Sequence, residues 1–231
     1  MATCKYSLQE VAKTIDHAVL KPEMTTEDVK TGCVLAKKYD VASICCKPCD
    51  VALCRDELAG SNVLVGTVIG FPHGNQATSV KVFETEQAIL DGAVEIDLVI
   101  NIGWMRSGHT EAIENEISKV VEAAAGNEVK VILENAYLTK EQIVEGCLLV
   151  ERAGGHYAKT STGFASTGAK LDDVKLMVEA LKDLSRQVKV KSAGGIRTLD
   201  QLLEFMDAGV SRSGASTTAA ILDEYIARYG I

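Results

Sequence analysis

Two lysines stand where their neighbours could make them reactive: Lys159 in YAKTSTGF (157–164) and Lys191 in VKVKSAGG (188–195). A free lysine with a pKa near 10.4 is a neutral amine in only about one molecule in 2,500 at pH 7, so it is a poor nucleophile. A second ammonium about 4 Å away, at an effective dielectric near 20, disfavours the charged form by roughly 4 kcal/mol, or about three pKa units. Lys159 beside Lys191 would then be largely free amine, ready to form a Schiff base with a carbonyl compound. Three carboxylates, Asp16 in TIDHAVL, Asp97 in EIDLVI and Glu134 in KVILE, stand in similar runs, and Glu134 could either assist acid/base chemistry or simply pair with a lysine.

These residues meet only if the elements carrying them converge. Val- and Ile-rich runs recur at 14–20, 42–46, 63–70, 95–100, 130–134, 156–161, 188–193 and 210–214, each short enough for one strand. Between them lie amphipathic stretches, clearest at 77–92, 110–126, 139–154 and 198–209, which end at glycine as helices commonly do. A unit of about thirty residues matches one β-α crossover. The pattern predicts an α/β fold, a single (β/α)8 TIM barrel occupying 1–231. An open doubly wound sheet is the alternative, but no GxGxxG follows the first strand.

Alternation sorts the strand faces. Ile96, Leu98 and Ile100 should face the helices, leaving Glu95 and Asp97 inward. The same parity sends Val131, Leu133, Ile15, His17 and Val19 outward, and admits Asp16, Glu134, Lys159 and Lys191 to the lumen near the carboxyl ends of the strands, where barrel enzymes place their chemistry. Lys189 shares the parity of Lys191 and should escape to water at the opposite rim. A structural ion network is the alternative reading, because a solitary buried charge costs several kcal/mol and charges persist inside proteins as mixed clusters.

STGF, SAGGIR and SGAS follow the last three strands. Their backbone N–H groups can approach an anion closely, and barrels commonly bind phosphate after strands seven and eight. Gly163, Gly194, Gly195, Gly214 and Ser216 are the candidate phosphate residues. His73 in GFPHG is more simply a loop residue than a proton carrier, and Trp104 and Met105 read as packing at the barrel mouth.

The formal charge of −8 and the absence of a basic stripe argue against nucleic acid or an anionic membrane as partner. No run approaches the length of a membrane span and the first residues lack an apolar signal core, so a cytoplasmic protein is expected. Seven cysteines suit a reducing compartment. Cys45, Cys46, Cys49 and Cys54 lack a second pair or a nearby histidine for a zinc site and read as packing.

ASICCKP, GTVIGFPHG, EIDLVINIG, KVILE, KTSTGF and VKSAGGIR, in this order over nearly the whole chain, resemble the deoxyribose-phosphate aldolase family. The resemblance implies a class I aldolase that cleaves 2-deoxyribose 5-phosphate to glyceraldehyde 3-phosphate and acetaldehyde without metal or cofactor. It assigns the Schiff base to Lys159, the second lysine to Lys191, acid/base work to Asp97, a proton relay to Asp16, and a pocket position to Cys45. Tyr229 would match a tyrosine that some members send into the site. Three departures bear on the pocket: Lys47 replaces an asparagine, KASGG becomes KSAGG, and Ser213 replaces an apolar residue. The expected partners are small sugar phosphates and aldehydes, with a homodimer as the assembly. Another Schiff-base barrel or a non-catalytic sugar-phosphate binder are the competing readings.

Overall fold

A computed structural model describes residues 4–230. Eight parallel strands close into one barrel in sequence order: β1 (Ile15–Val19), β2 (Ser43–Cys46), β3 (Leu64–Ile69), β4 (Glu95–Val99), β5 (Glu128–Ile132), β6 (Tyr157–Lys159), β7 (Lys189–Ala193) and β8 (Arg212–Ala215). Closure is made by β8 against β1, where Asp16 pairs in register with Gly214. The helices are α1 (Leu8–Ala12), α2 (Thr26–Tyr39), α3 (Val51–Glu57), α4 (Thr78–Asp91), α5 (Ile102–Arg106), α6 (Thr110–Ala123), α7 (Lys140–Arg152), α8 (Leu171–Leu181), α9 (Leu199–Asp207) and α10 (Thr218–Tyr229). Local chemistry starts several of them. Ser7, Thr25 and Thr139 each close a capping box with the residue three positions on, satisfying N–H groups that a helix start leaves unpaired.

The core lies between barrel and helices. Ile15, Val19, Ile44, Ile96, Leu98, Val129, Val131 and Val190 join the helices' apolar faces in one continuous cluster. Each such fully buried aliphatic side chain contributes roughly 1.5–3 kcal/mol. His17 faces outward too; its Nδ1 lies 2.9 Å from the Thr218 hydroxyl of α10, and burial pulls its pKa down to about 4, which keeps the ring neutral. The inward set is polar, because strand alternation leaves it no helix to cover it. Lys189 reaches solvent at the amino rim, its ammonium 5.5 Å from the Tyr157 ring centroid.

Strand ends differ from the expected ranges by one or two residues. β5 begins at Glu128 and stops at Ile132, so Glu134 sits on the following loop with φ 57° rather than on the strand. β8 begins at Arg212.

One ion pair is buried outside the barrel. Lys81 of α4 donates at 2.8 Å to Gly74 O, to Val99 O and to Glu116 Oε1 of α6, and both side chains are wholly buried. It ties the loop after β3 to the carboxyl end of β4. Gly74 (φ 68°) completes the tie, since a Cβ there would fall 1.9 Å from Ile100 O. Removing one partner of a buried pair strands the other charge, so Glu116→Ala should lower stability by about 3–5 kcal/mol. A Lys81→Met, Glu116→Leu double variant should recover most of that loss, as denaturant unfolding of both proteins would measure.

Candidate active site

Register brings the two lysines together. Lys159 of β6 and Lys191 of β7 are direct partners across adjacent strands, so their Cα atoms are separated by one strand spacing, about 4.8 Å. Both point inward and both reach the same acceptor: Asp97 Oδ2 lies 2.6 Å from Lys159 Nζ and 2.7 Å from Lys191 Nζ. Two nitrogens on one oxygen are necessarily close neighbours. Lys191 also contacts Asp16 Oδ2 at 2.6 Å, and Ser43 Oγ donates to Asp16 Oδ1 at 2.8 Å.

A second tier lies beneath. Lys130 of β5 meets Glu95 Oε2 at 2.7 Å and Asp97 Oδ1 at 3.6 Å. Arg212 of β8 bridges Asp16 and Glu95. Gly66 makes room for this tier, because a Cβ there would lie 3.3 Å from that of Glu95. Sequence alternation pointed to Glu95 but not to these two cations. Lys130 has the inward parity of its strand, and that signal could have found it; Arg212 opens a strand too short and too polar to show a pattern.

Charge balance decides how the cluster ionises. Asp16, Glu95 and Asp97 face Lys130, Lys191 and Arg212 inside the barrel. Within these six groups three negative and three positive charges cancel, so a cationic Lys159 adds to the positive side; Glu128, 3.9 Å from Arg212, and Glu134 stand at the edges of the cluster with pKa values raised by burial. A buried cation left uncompensated costs several kcal/mol. Burial is the largest influence on Lys159 and pulls its pKa below the ordinary 10.5; Asp97 opposes this and Lys191 reinforces it. The like charge of Lys191 is thus the smaller cause, and desolvation in the lumen the larger one. Burial alone would also lower Lys191, but Asp16 and Asp97 outweigh it and hold that side chain charged well above the lysine range. For Asp97, burial works upward, yet Lys159, Lys191 and Lys130 keep the carboxylate ionised far below its usual pKa.

Above the lysines opens a cavity of about 310 Å³. Lys159, Lys191, Asp16 and Cys45 line its inner end, and Gly163, Gly194, Gly195, Gly214 and Ser216 all line its wall. Cys45 is a thiol there, its pKa pushed up to about 11 by burial. Among the described residues, the N–H groups of Gly163, Gly194, Gly195 and Ser216 have no partner within the protein. The glycines are packed backbone to backbone: a Cβ on Gly168 would fall 2.1 Å from Gly194 O, and one on Gly194 3.2 Å from Gly163 Cα. Nothing in the sequence distinguishes Gly168, because only the folded loop makes that contact. Lys21, Arg197 and Phe164 also line the cavity and were likewise not singled out. Phe164 stacks edge-on with Phe71, centroids 5.2 Å apart.

The hydroxyls after Lys159 hold the loops. Thr160 Oγ1 accepts from Ala193 N at 3.1 Å, Ser161 Oγ donates to Thr160 Oγ1 at 3.2 Å, and the Thr162 hydroxyl donates to Glu134. Other singled-out residues lie elsewhere. His73 is exposed outside the cavity. Met105 is buried in the core and Trp104 packs against it. Tyr229 packs on Tyr225, centroids 5.1 Å apart, and does not line the cavity. Lys47 turns to Asp50 (3.3 Å) and Met24 O (3.0 Å). Two departures from the family pattern prove to be partners: the buried hydroxyls of Ser192 and Ser213 lie 2.7 Å apart on the outer face of the wall. Cys33, Cys46 and Cys54 are buried in the core, and all seven cysteines are free thiols. Among the described residues no helix is long and apolar enough to cross a membrane.

The family model for DeoC/LacD family aldolases matches residues 10–225. The chain belongs to this aldolase family. It is 46% identical over 211 residues to the deoxyribose-phosphate aldolase of Staphylococcus epidermidis, covering 91% of this chain and 94% of that one. With that of Bacillus cytotoxicus it shares 47% identity over 213 residues, covering 92% and 94%. Among solved structures, the tetrameric deoxyribose phosphate aldolase from Aeropyrum pernix superposes with a TM-score of 0.88 at 29% identity, over 95% of this chain and 92% of that one. QR15, an aldolase, gives 0.90 at 34% identity over 95% and 97%. This chain is thus an aldolase, built on the (β/α)8 barrel.

Lys191→Met removes the like charge beside Lys159, so the Lys159 pKa should rise and the pH needed to expose its free amine should rise with it. Mass-mapped acylation of Lys159 across pH should show its midpoint moving alkaline by about one unit or more.

Proposed function

We propose that this aldolase cleaves 2-deoxy-D-ribose 5-phosphate reversibly to D-glyceraldehyde 3-phosphate and acetaldehyde through a Schiff base on Lys159, in deoxyribonucleotide catabolism. What carries the reading is the pair of lysines on one Asp97 oxygen at the inner end of a cavity walled by glycine loops. The curated relatives' activity supports the choice of substrate.

The uncharged Lys159 amine adds to C1 of the open-chain sugar, giving a carbinolamine. Asp97, in hydrogen-bond contact with that nitrogen, passes the proton released by the amine to the carbinolamine oxygen, and one further proton taken up from solvent lets that hydroxyl leave as water while the imine keeps its N–H. The protonated imine is an electron sink. Acetaldehyde carries two carbons, so the bond that breaks is C2–C3. Its electron pair moves toward the imine nitrogen, forming an enamine. The C3 hydroxyl loses its proton, through water to Asp97, as C3 becomes the aldehyde carbon of glyceraldehyde 3-phosphate. Protonation of the enamine at C2 and hydrolysis of the imine release acetaldehyde and restore Lys159. Lys191 stays cationic throughout, with Asp16 holding it beside Asp97 as the relay.

The phosphate is received by the N–H groups of Gly163, Gly194, Gly195 and Ser216, with Gly214 leaving space beside Lys191. The amino end of α10 adds partial positive charge at Ser216. No cofactor or metal enters these steps. The free thiols support a cytoplasmic setting. The exposed Val80, Phe83 and Leu90 on one stripe of α4 support assembly as a homodimer.

Borohydride reduction in the presence of 2-deoxyribose 5-phosphate should attach the two-carbon or five-carbon adduct to the peptide carrying Lys159. Lys159→Leu should lose the adduct and at least roughly four orders of magnitude in kcat/KM. Reduction onto another lysine, or full cleavage by the variant, would contradict the assignment. Ser216→Glu should raise KM for the phosphorylated sugar far more than KM for acetaldehyde in the synthetic direction; equal effects would move the phosphate elsewhere.

A further inference from the structure

Glu134 is an unusual residue to find at the carboxyl end of a barrel strand. Its backbone lies in the left-handed region (φ 57°, ψ 65°), which a glutamate adopts only at a cost of about 1–3 kcal/mol. Its side chain is 2% exposed, and no lysine or arginine among the described residues forms an ion pair with it. A buried carboxylate in a strained position needs compensation, and all of its hydrogen bonds come from one residue. Thr162 N–H donates to Oε1 and Oε2, with N···O distances of 3.3 and 3.2 Å, and the Thr162 hydroxyl makes a close hydrogen bond to Oε2.

The consequence lies on the far side of Thr162. Its oxygen also accepts from Phe164 N at 3.0 Å, so the residues on both sides of Gly163 are held through one hydroxyl. Asn135 N donates to Thr160 O at 2.9 Å, fastening the same two loops one step further along. Gly163 is left between fixed neighbours with its N–H unpartnered and its Cα against Gly194. Thr162, Gly163 and Phe164 line the cavity, whereas Glu134 does not. Glu134 is therefore placed to act on the loop and not on a bound molecule.

We propose that Glu134 is a positioning residue for the anion subsite: its carboxylate, acting through Thr162, fixes the 162–164 loop so that the Gly163 N–H is set in advance for a phosphate. This rests on the aldolase reading of the cavity and adds a determinant of preference for phosphorylated sugars. Preorganised donors bind without reordering, which is where a rigid loop gains affinity.

The test compares Glu134→Gln, Glu134→Ala and Thr162→Val with the wild-type enzyme on 2-deoxyribose 5-phosphate and on 2-deoxyribose, and measures inorganic phosphate binding by calorimetry. Glu134→Ala and Thr162→Val should lower the ratio of kcat/KM for phosphorylated over unphosphorylated sugar by about ten- to hundredfold, mainly through KM, and weaken inorganic phosphate binding by a similar factor. Glu134→Gln keeps an acceptor for Thr162 N–H and should fall between them and the wild type. Equal kcat losses on both sugars would assign Glu134 to proton transfer and overturn the proposal, as would wild-type phosphate affinity in Thr162→Val. Absence of a trapped Lys159 adduct in the wild type would refute the aldolase reading instead. Phosphate binding by the same variants would still decide the role of Glu134, and near-isosteric Thr162→Val keeps the test open should Glu134→Ala fail to fold.

Discussion

One carboxylate oxygen organises this molecule. Asp97 Oδ2 accepts from both Lys159 and Lys191 in a lumen from which water is almost excluded. In that setting the number of charges is constrained more tightly than their positions, because each uncompensated ion costs several kcal/mol. Among Asp16, Glu95, Asp97, Lys130, Lys191 and Arg212 the charges balance, and Lys159 shares Asp97 with Lys191 instead of holding that carboxylate alone. Lys191 differs, since Asp16 holds it as well. The asymmetry between two lysines of similar burial thus comes from Asp16, one strand beyond β8 in the closed barrel.

The fold supplies this arrangement through register rather than through any flexible adjustment. Lys159 faces Lys191 across β6 and β7, Asp97 faces Lys130 across β4 and β5, and Asp16 faces Gly214 across the seam. A one-residue slip in any of these strands would turn its ionisable group into the apolar layer behind the wall. The second tier of Glu95, Lys130 and Arg212 stiffens the first, because Lys130 and Arg212 each touch a carboxylate that the lysines also touch, and Glu95 joins the two. Outside the wall, Lys81 and Glu116 fasten the loop after β3 to the end of the strand that carries Asp97. The chain thereby couples the stability of one loop to the placement of the central carboxylate.

Much of this is legible in the sequence. Strict alternation in EIDLVI fixes which side chains enter the barrel, and the small-residue loops after the last three strands announce an open rim where backbone groups can meet an anion. What alternation cannot convey is long-range partnership. Arg212 opens its strand, where nothing local distinguishes a buried cation from one that reaches water, as Lys189 does, and the inward parity of Lys130 does not say which carboxylates it meets. Glu134 shares the parity of an inward strand residue, yet its backbone has already turned into the left-handed region, and its partner is Thr162 rather than a lysine. The pairing of Ser192 with Ser213 is equally silent in the chain, because two hydroxyls separated in sequence satisfy one another only after β7 and β8 are aligned. The magnitude of the effect on Lys159 was also beyond sequence, since desolvation depends on how completely the lumen is closed.

The central claim is that burial and Lys191 make Lys159 a weaker base than an ordinary lysine while Lys191 remains an ammonium. Carbon-13 labelling of the lysine ε-carbons, with each resonance assigned through its single substitution and followed across pH, reads both protonation states without substrate. The account predicts that the Lys159 signal titrates below the ordinary lysine value of 10.5 and that Lys191 stays charged through the whole range in which the protein is folded. A Lys159 signal that remains cationic up to or beyond that value would contradict it.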